Sequence, residues 1–271
     1  MRREELRGAR ASFFLVVVGA VLAGVCAPGA AAAWTPRTQL TIAREAGRLA
    51  PPDLARQIER RRAAYAAGVL APFDDSDPAR HVKGPPPDSA GELDGVLLGE
   101  VAAAIAAIRA HRPFDEVVRR LGTVSHYVAD ANNPLAAAQQ EPELGRYFGD
   151  YWRYVEGAEP RFPLIFYGID SGLEQTPDLS PLVGRALGRG RALAPLVAEE
   201  YRRIGFASGI GRFDDRSTAF GVASLAFSHA VTDVALVLRY IWLQAGGADE
   251  RSGLPAGGTR LLLLPRSEHV R

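Results

Sequence analysis

From Asp214–Asp215 to Gly246-Gly247 the chain is apolar almost all round, through Val222, Leu225, Phe227, Val231, Val234, Leu236, Leu238, Ile241 and Trp242. A helix with so little polar face has to be enclosed by other elements, so this stretch predicts a long central helix. No strand alternation is sustained over a sheet, there is no tandem repeat, and no linker divides the chain. The expected architecture is one all-α domain of about six or seven helices.

The segments around it carry helix punctuation. Thr35 can cap a first helix, with Pro36 in its first turn, ending before Pro51-Pro52. A second helix is expected from Asp53 to Ala67, with Leu54, Ile58 and Ala63 inward and Gly68 closing it. Residues 69–90 lack periodicity and read as a long loop, a feature often tied to function. Ser89-Ala-Gly-Glu92 has the spacing of a capping box for a helix reaching His111, and Pro113 starts the next, which stops at Asn132–Pro134. Glu143–Glu156 is a helix rich in aromatics, 157–180 is loop-like, and Pro181–Ile204 is helical. Residues 248–271 read as a loose tail, apart from the apolar Leu261–Leu264.

Residues 1–33 have another character. Arg2, Arg3, Arg7 and Arg10 precede the apolar run Ala11–Ala27, and Ala31-Ala-Ala33 follows. That is the order of a secretory signal with its cleavage site, and the run is shorter than the ~20 residues of a spanning helix. A secreted or periplasmic domain at 34–247 is expected, with an uncleaved membrane anchor as the alternative. The only cysteine, Cys26, lies in this segment, so a cleaved chain has neither disulfide nor thiolate ligand. Cleavage also leaves 28 basic against 29 acidic residues, a balance that argues against long nucleic acid as a partner.

Chemistry concentrates in Leu121–Ala136. His126 and Asp130 are four residues apart and share a helical face, where an imidazole and a carboxylate can hold one metal ion or form a buried hydrogen-bonded pair. Gly122, one turn earlier, costs about 1 kcal/mol of helix propensity against Ala and points to the close approach of a backbone or an ion. His81 lies in the long loop with Asp74, Asp75 and Asp77, either as half of a metal site or as a solvated acidic turn. His229 and Asp233 repeat the i, i+4 spacing among apolar neighbours and read as a hydrogen-bonded core pair. His111 and His269 read as solvated. Ser125 and His126, adjacent on a helix, point apart and make no nucleophile–base pair.

The order Trp34, loop Asp and His, then Leu-Gly-x-x-x-His-Tyr-x-x-Asp-x-x-x-Pro over Leu121–Pro134 resembles the bacterial zinc-dependent phospholipase C family and, more distantly, the related single-strand-specific nucleases. The resemblance spans roughly residues 34–245 and implies an all-α fold with zinc ions in a cleft. It implies that Trp34 binds one zinc through a free amine and its carbonyl oxygen. It further implies that Asp74 (or Asp75 or Asp77), His81, His126 and Asp130 hold another, with Asp130 bridging the two. Two positions depart from the pattern: Gln39 and Ala136 stand where the family has histidines, and the His and Glu expected on the following helix are absent. One zinc is therefore expected, with a second possible.

Two functions follow from the resemblance. One is hydrolysis of a phosphoric ester by a metal-bound water of pKa lowered toward ~7, with Asp74 as general base and the aromatic helix as a wall. Its substrate would be a lipid head group first, met in transient contact with a membrane surface, and a nucleotide second. The other is a non-catalytic secreted helical protein that retains the fold and binds one metal or a ligand.

Overall fold

The computed structural model describes residues 34–87, 90–138, 141–248 and 262–264. The expected signal segment 1–33, Ser89 of the expected capping box, and most of the expected tail lie outside the described residues. Ten α-helices, several short 3-10 turns and one two-stranded ribbon make up the described residues, and the fold is all-α, as expected.

Helix α1 (Pro36–Gly47) starts where Thr35 Oγ1 accepts from Thr38 N at 3.1 Å. In place of one second helix there are two, α2 (Pro52–Arg60) and α3 (Arg62–Leu70), broken at Arg61, whose φ of −120° and ψ of 31° leave the helical region. Gly68 does not close this segment. It lies inside α3, against α5 (Phe114–Ala131), which follows α4 (Leu93–Arg109). A Cβ on Gly68 would fall 1.9 Å from Arg119 O, and one on Gly122 2.2 Å from Tyr65 O. The two glycines let the backbones of α3 and α5 touch, which is the close approach anticipated at Gly122.

After Pro134 come α6 (Pro134–Ala137), α7 (Leu144–Ala158), strand β1 (Leu164–Phe166), α8 (Ser171–Gln175), α9 (Ser180–Arg203) and α10 (Thr218–Gln244). α10 begins at a Ser217 cap and packs against α1, α5 and α9. It is long and apolar enough to cross a membrane, yet 83% of its most apolar window is buried within the protein. The excess of helices over the expected number comes from the Arg61 break and from the short α6 and α8.

Residues 157–180 hold short elements in place of the expected loop, and one of them pairs with Leu262–Leu264. Leu262–Leu264 forms strand β2, antiparallel to β1, with Leu164 opposite Leu264 and Phe166 opposite Leu262. On α10, Ser228 and Thr232 hydroxyls accept from Ile165 N and Tyr167 N, each at 3.2 Å. A helix thus supplies hydrogen-bond partners to a ribbon too short to stand alone.

Candidate metal centre

Residues 71–81 are a loop folded on its own carboxylates. The 3-10 turn Pro78–His81 is capped by Asp77, whose Oδ1 accepts from Ala79 N at 2.9 Å. Asp75 Oδ1 accepts from Asp77 N, and its Oδ2 pairs with Arg80 Nε at 2.7 Å. The outcome is that His81 turns inward and is fully buried, while Asp74 is exposed.

α5 supplies the other two groups. His126 and Asp130 both have 0% exposure, and Ser125 is tied back to Leu121 O at 2.8 Å. Trp34 is buried against the same helix, its Nε1–H donating to Ala129 O at 2.8 Å. His81, His126 and Asp130 form one buried group able to hold a metal ion, each with a ligand atom within 4.8 Å of the others'. The expected loop carboxylate, Asp74, is not part of it, because Asp75 and Asp77 fold the loop so that only the histidine points in.

The outer nitrogens of the two rings define the chemistry within. His126 Nδ1 lies 2.8 Å from Val69 O, a carbonyl in the last turn of α3, where no intrahelical donor reaches. His81 Nε2 lies 3.2 Å from Pro72 O. A carbonyl only accepts, so both outer nitrogens carry hydrogen. The inner atoms, His81 Nδ1, His126 Nε2 and Asp130 Oδ2, then present lone pairs to one another at 2.8, 3.2 and 3.3 Å. Three acceptors at such distances need a cation among them, either a proton or a metal. Tetrahedral ligands with bonds of ~2.0–2.1 Å stand about 3.3 Å apart, so the two separations from His126 fit a small divalent ion, while the 2.8 Å between His81 and Asp130 is the spacing of a hydrogen bond. Each outer N–H···O=C bond also fixes ring orientation, as ligating histidines require.

With a proton in the cation's place, the electrostatics are those of an ion pair. Burial opposes charge on His81, but hydrogen bonding to Asp130 and its negative charge outweigh burial and raise the His81 pKa above its ordinary value. Burial likewise opposes the Asp130 carboxylate, and His126 and His81 beside it pull its pKa below the ordinary value.

Asp130 has a second oxygen, which the resemblance has bridging to a Trp-bound ion. Here Oδ1 accepts from Gln39 Nε2 at 2.7 Å. The amide therefore meets this oxygen with a hydrogen bond, and Gln39 Oε1 is left buried with no hydrogen-bond partner among the described residues. Ala136 is buried in α6, and its carbonyl accepts from Lys83 N at 3.1 Å. A methyl group thus stands where the resemblance would need a second histidine.

Two further expectations are corrected. His229 and Asp233 do not act as a pair. Asp233 accepts from Asn132 Nδ2 at 3.0 Å and pairs with Arg189, whereas His229 stacks on Tyr167 with centroids 4.0 Å apart. On the aromatic helix α7, Phe148 and Trp152 are half-buried, but Tyr147, Tyr151 and Tyr154 do not line a wall. They are buried among Tyr201 and Phe213.

The partners of the outer nitrogens, Val69 and Pro72, have no signal in the sequence because backbone carbonyls carry none. Arg189 could be read only as one arginine among many. No protein-family model matches the chain, and no curated protein matches it.

Proposed function

We propose that this chain is a secreted helical protein that uses one zinc-class divalent ion at His81, His126 and Asp130 to lock α3, the 71–81 loop and α5 together, in place of a catalytic cluster. The ligand set, two imidazoles and a carboxylate without thiolate, suits zinc or a harder divalent ion. When bound, such an ion would neutralise the carboxylate and join segments far apart in sequence, which is folding free energy.

The complete burial of all three ligands carries this reading. Hydrolysis through a metal-bound water needs a coordination position open to water and substrate. The arrangement around the ligands favours a closed site: Phe73 packs edge-on against His126 at 4.9 Å between centroids, and Asp74, the expected general base, faces solvent. The phosphoric ester hydrolase implied by the resemblance ranks second for that reason. In this reading the phospholipase C-like scaffold is retained and its reaction lost.

Elemental analysis of the chain beginning at Trp34, beside His126→Ala, tests it, with phosphodiester hydrolysis measured on both. One equivalent of metal, absent from the variant, with the same background hydrolysis in both, is expected. Two or three ions with turnover that disappears in the variant would restore the hydrolase. No metal in a folded wild-type chain would leave a proton between His81 and Asp130.

A further inference from the structure

A cavity of about 300 Å³ lies between the segment after β1, α9 and α10, and none of the three metal-centre residues lines it. Tyr167 and His229 form one stacked wall, at 11° between ring planes. Arg185 and Arg189, one turn apart on α9, reach the same cavity.

Each arginine is held by a carboxylate. Arg185 pairs with Asp170 at 2.8 Å, and Asp170 is itself fixed as the cap of α8 through Gly172 N and Leu173 N. Arg189 pairs with buried Asp233 and donates to Asn132 Oδ1 at 3.1 Å. These contacts run through one terminal nitrogen of each guanidinium. A guanidinium carries five N–H donors in a fixed fork, so most of each fork is uncommitted. Arg189 Nε is buried without a hydrogen-bond partner among the described residues. His229 adds no charge: burial, with help from Arg189, pulls its pKa down to about 4.

Each carboxylate at the cavity already accepts from an arginine, so the larger spare hydrogen-bonding capacity lies with the guanidinium donors. A ligand rich in acceptor oxygens matches that. Ile169, Leu236 and the Tyr167 ring add apolar surface, and the volume sits at the small end of ligand pockets, which run from ~300 to ~1,000 Å³.

We propose that the Arg185–Arg189 cavity binds a small organic oxyanion, a carboxylate or a phosphate ester, with its oxygens on the two guanidinium forks and its apolar part against Tyr167 and Leu236. The tethering carboxylates hold the cavity near neutrality. Recognition therefore rests on fork geometry rather than on bulk attraction, and a singly charged head group is the better match. The site is independent of the metal reading.

Calorimetric titration of the purified chain with benzoate, phenyl phosphate and inorganic phosphate tests the proposal, with NMR mapping of the bound site. Benzoate or phenyl phosphate is expected to bind once and to shift Tyr167 and His229 signals. Arg185→Gln, at an arginine half exposed to solvent, is expected to weaken binding about tenfold, the equivalent of one charge-assisted hydrogen bond, with the melting temperature retained. Arg189→Lys keeps a cation beside Asp233 but loses the fork, and the same loss of binding is expected. Tighter benzoate identifies a carboxylate ligand, and tighter phenyl phosphate a phosphate ester. The proposal is overturned if none of the probes binds, if only inorganic phosphate binds, if the shifts lie elsewhere, or if both variants bind like wild type.

Discussion

His81 Nδ1 lies 2.8 Å from Asp130 Oδ2 across 49 residues of sequence, with neither side chain exposed to solvent. The contact is forced from outside. Pro72 O takes the hydrogen of His81 Nε2 and Val69 O that of His126 Nδ1, so the inner lone pairs cannot turn away from one another. Whatever cation sits there joins a loop to the core helix.

A proton and a metal ion compete for that place, which gives the metal-free site a pH window. Asp130 has a lowered pKa in the fold. Its contribution is complete above the unfolded carboxylate value of about 3.9 and is lost as pH falls through the folded value. His81 has a raised pKa. Its contribution is complete below the unfolded imidazole value of about 6.5 and is lost as pH rises through the folded value. Zinc must displace the His81 proton, so its stabilising effect is expected to grow as pH rises. Melting temperatures with and without one equivalent of zinc, at pH 5.5 and pH 8, check this. Equal increments at the two pH values would rule out the shared site.

Gln39 is the residue that makes Asp130 Oδ1 a hydrogen-bond acceptor. Gln39→Leu leaves that buried oxygen without its donor and is expected to cost about 1–3 kcal/mol, read by chemical denaturation of the metal-free protein. Gln39→His replaces the amide with a stronger ligand for a divalent ion and is expected to raise metal content above that of wild type. An unchanged content would show that the pocket around Asp130 Oδ1 is shaped for the amide alone.

What was legible in the sequence was local. His126 and Asp130 share a helical face because the helix period places them there, and Pro134 marks where that helix has to stop. The cost of Gly122 correctly announced a close approach, since a lone glycine in a helix interior is unfavourable unless something needs the space. The loop carboxylates were ambiguous because Asp74, Asp75 and Asp77 are chemically identical, and turn hydrogen bonds decide which of them face solvent. The Arg61 break has no sequence signal: Ile58 and Tyr65, both buried, are spaced as on one continuous helix, yet the backbone leaves helical geometry at Arg61. The same limit applies to β2, whose partner strand β1 lies about a hundred residues away and is itself held to α10 by Ser228 and Thr232.

The α3–α5 contact makes a sharp prediction about glycines. A Cβ on Gly68 or Gly122 would collide with backbone oxygen at 1.9 or 2.2 Å, and neither the Arg119 nor the Tyr65 carbonyl can move without unwinding a turn. Gly68→Ala and Gly122→Ala are each expected to destabilise by about 3 kcal/mol or more. Both should also weaken metal binding, since Val69 O orients His126 from the same turn of α3. Gly95→Ala on α4, where nothing lies within 4 Å, is expected to stabilise by about 0.5–1 kcal/mol. Urea denaturation of the three variants checks the contrast, and similar values for all three would mean that α3 and α5 are not in backbone contact.

Asn132 links the end of α5 to α10, since its Nδ2 donates to Asp233 and its Oδ1 accepts from Arg189. Removing one member of a buried charged pair leaves the other uncompensated, so Arg189→Ala is expected to cost about 3–5 kcal/mol. Asp233→Asn leaves an amide able to hydrogen-bond Asn132 and only partly strands Arg189, which has a solvent-facing portion. Its cost is expected to be smaller, about 1–3 kcal/mol. Combining Arg189→Ala with Asp233→Asn should recover much of the first loss, because the stranded carboxylate is then gone. A double-mutant cycle by thermal denaturation reads the coupling. Strictly additive losses would mean that Arg189 and Asp233 act separately.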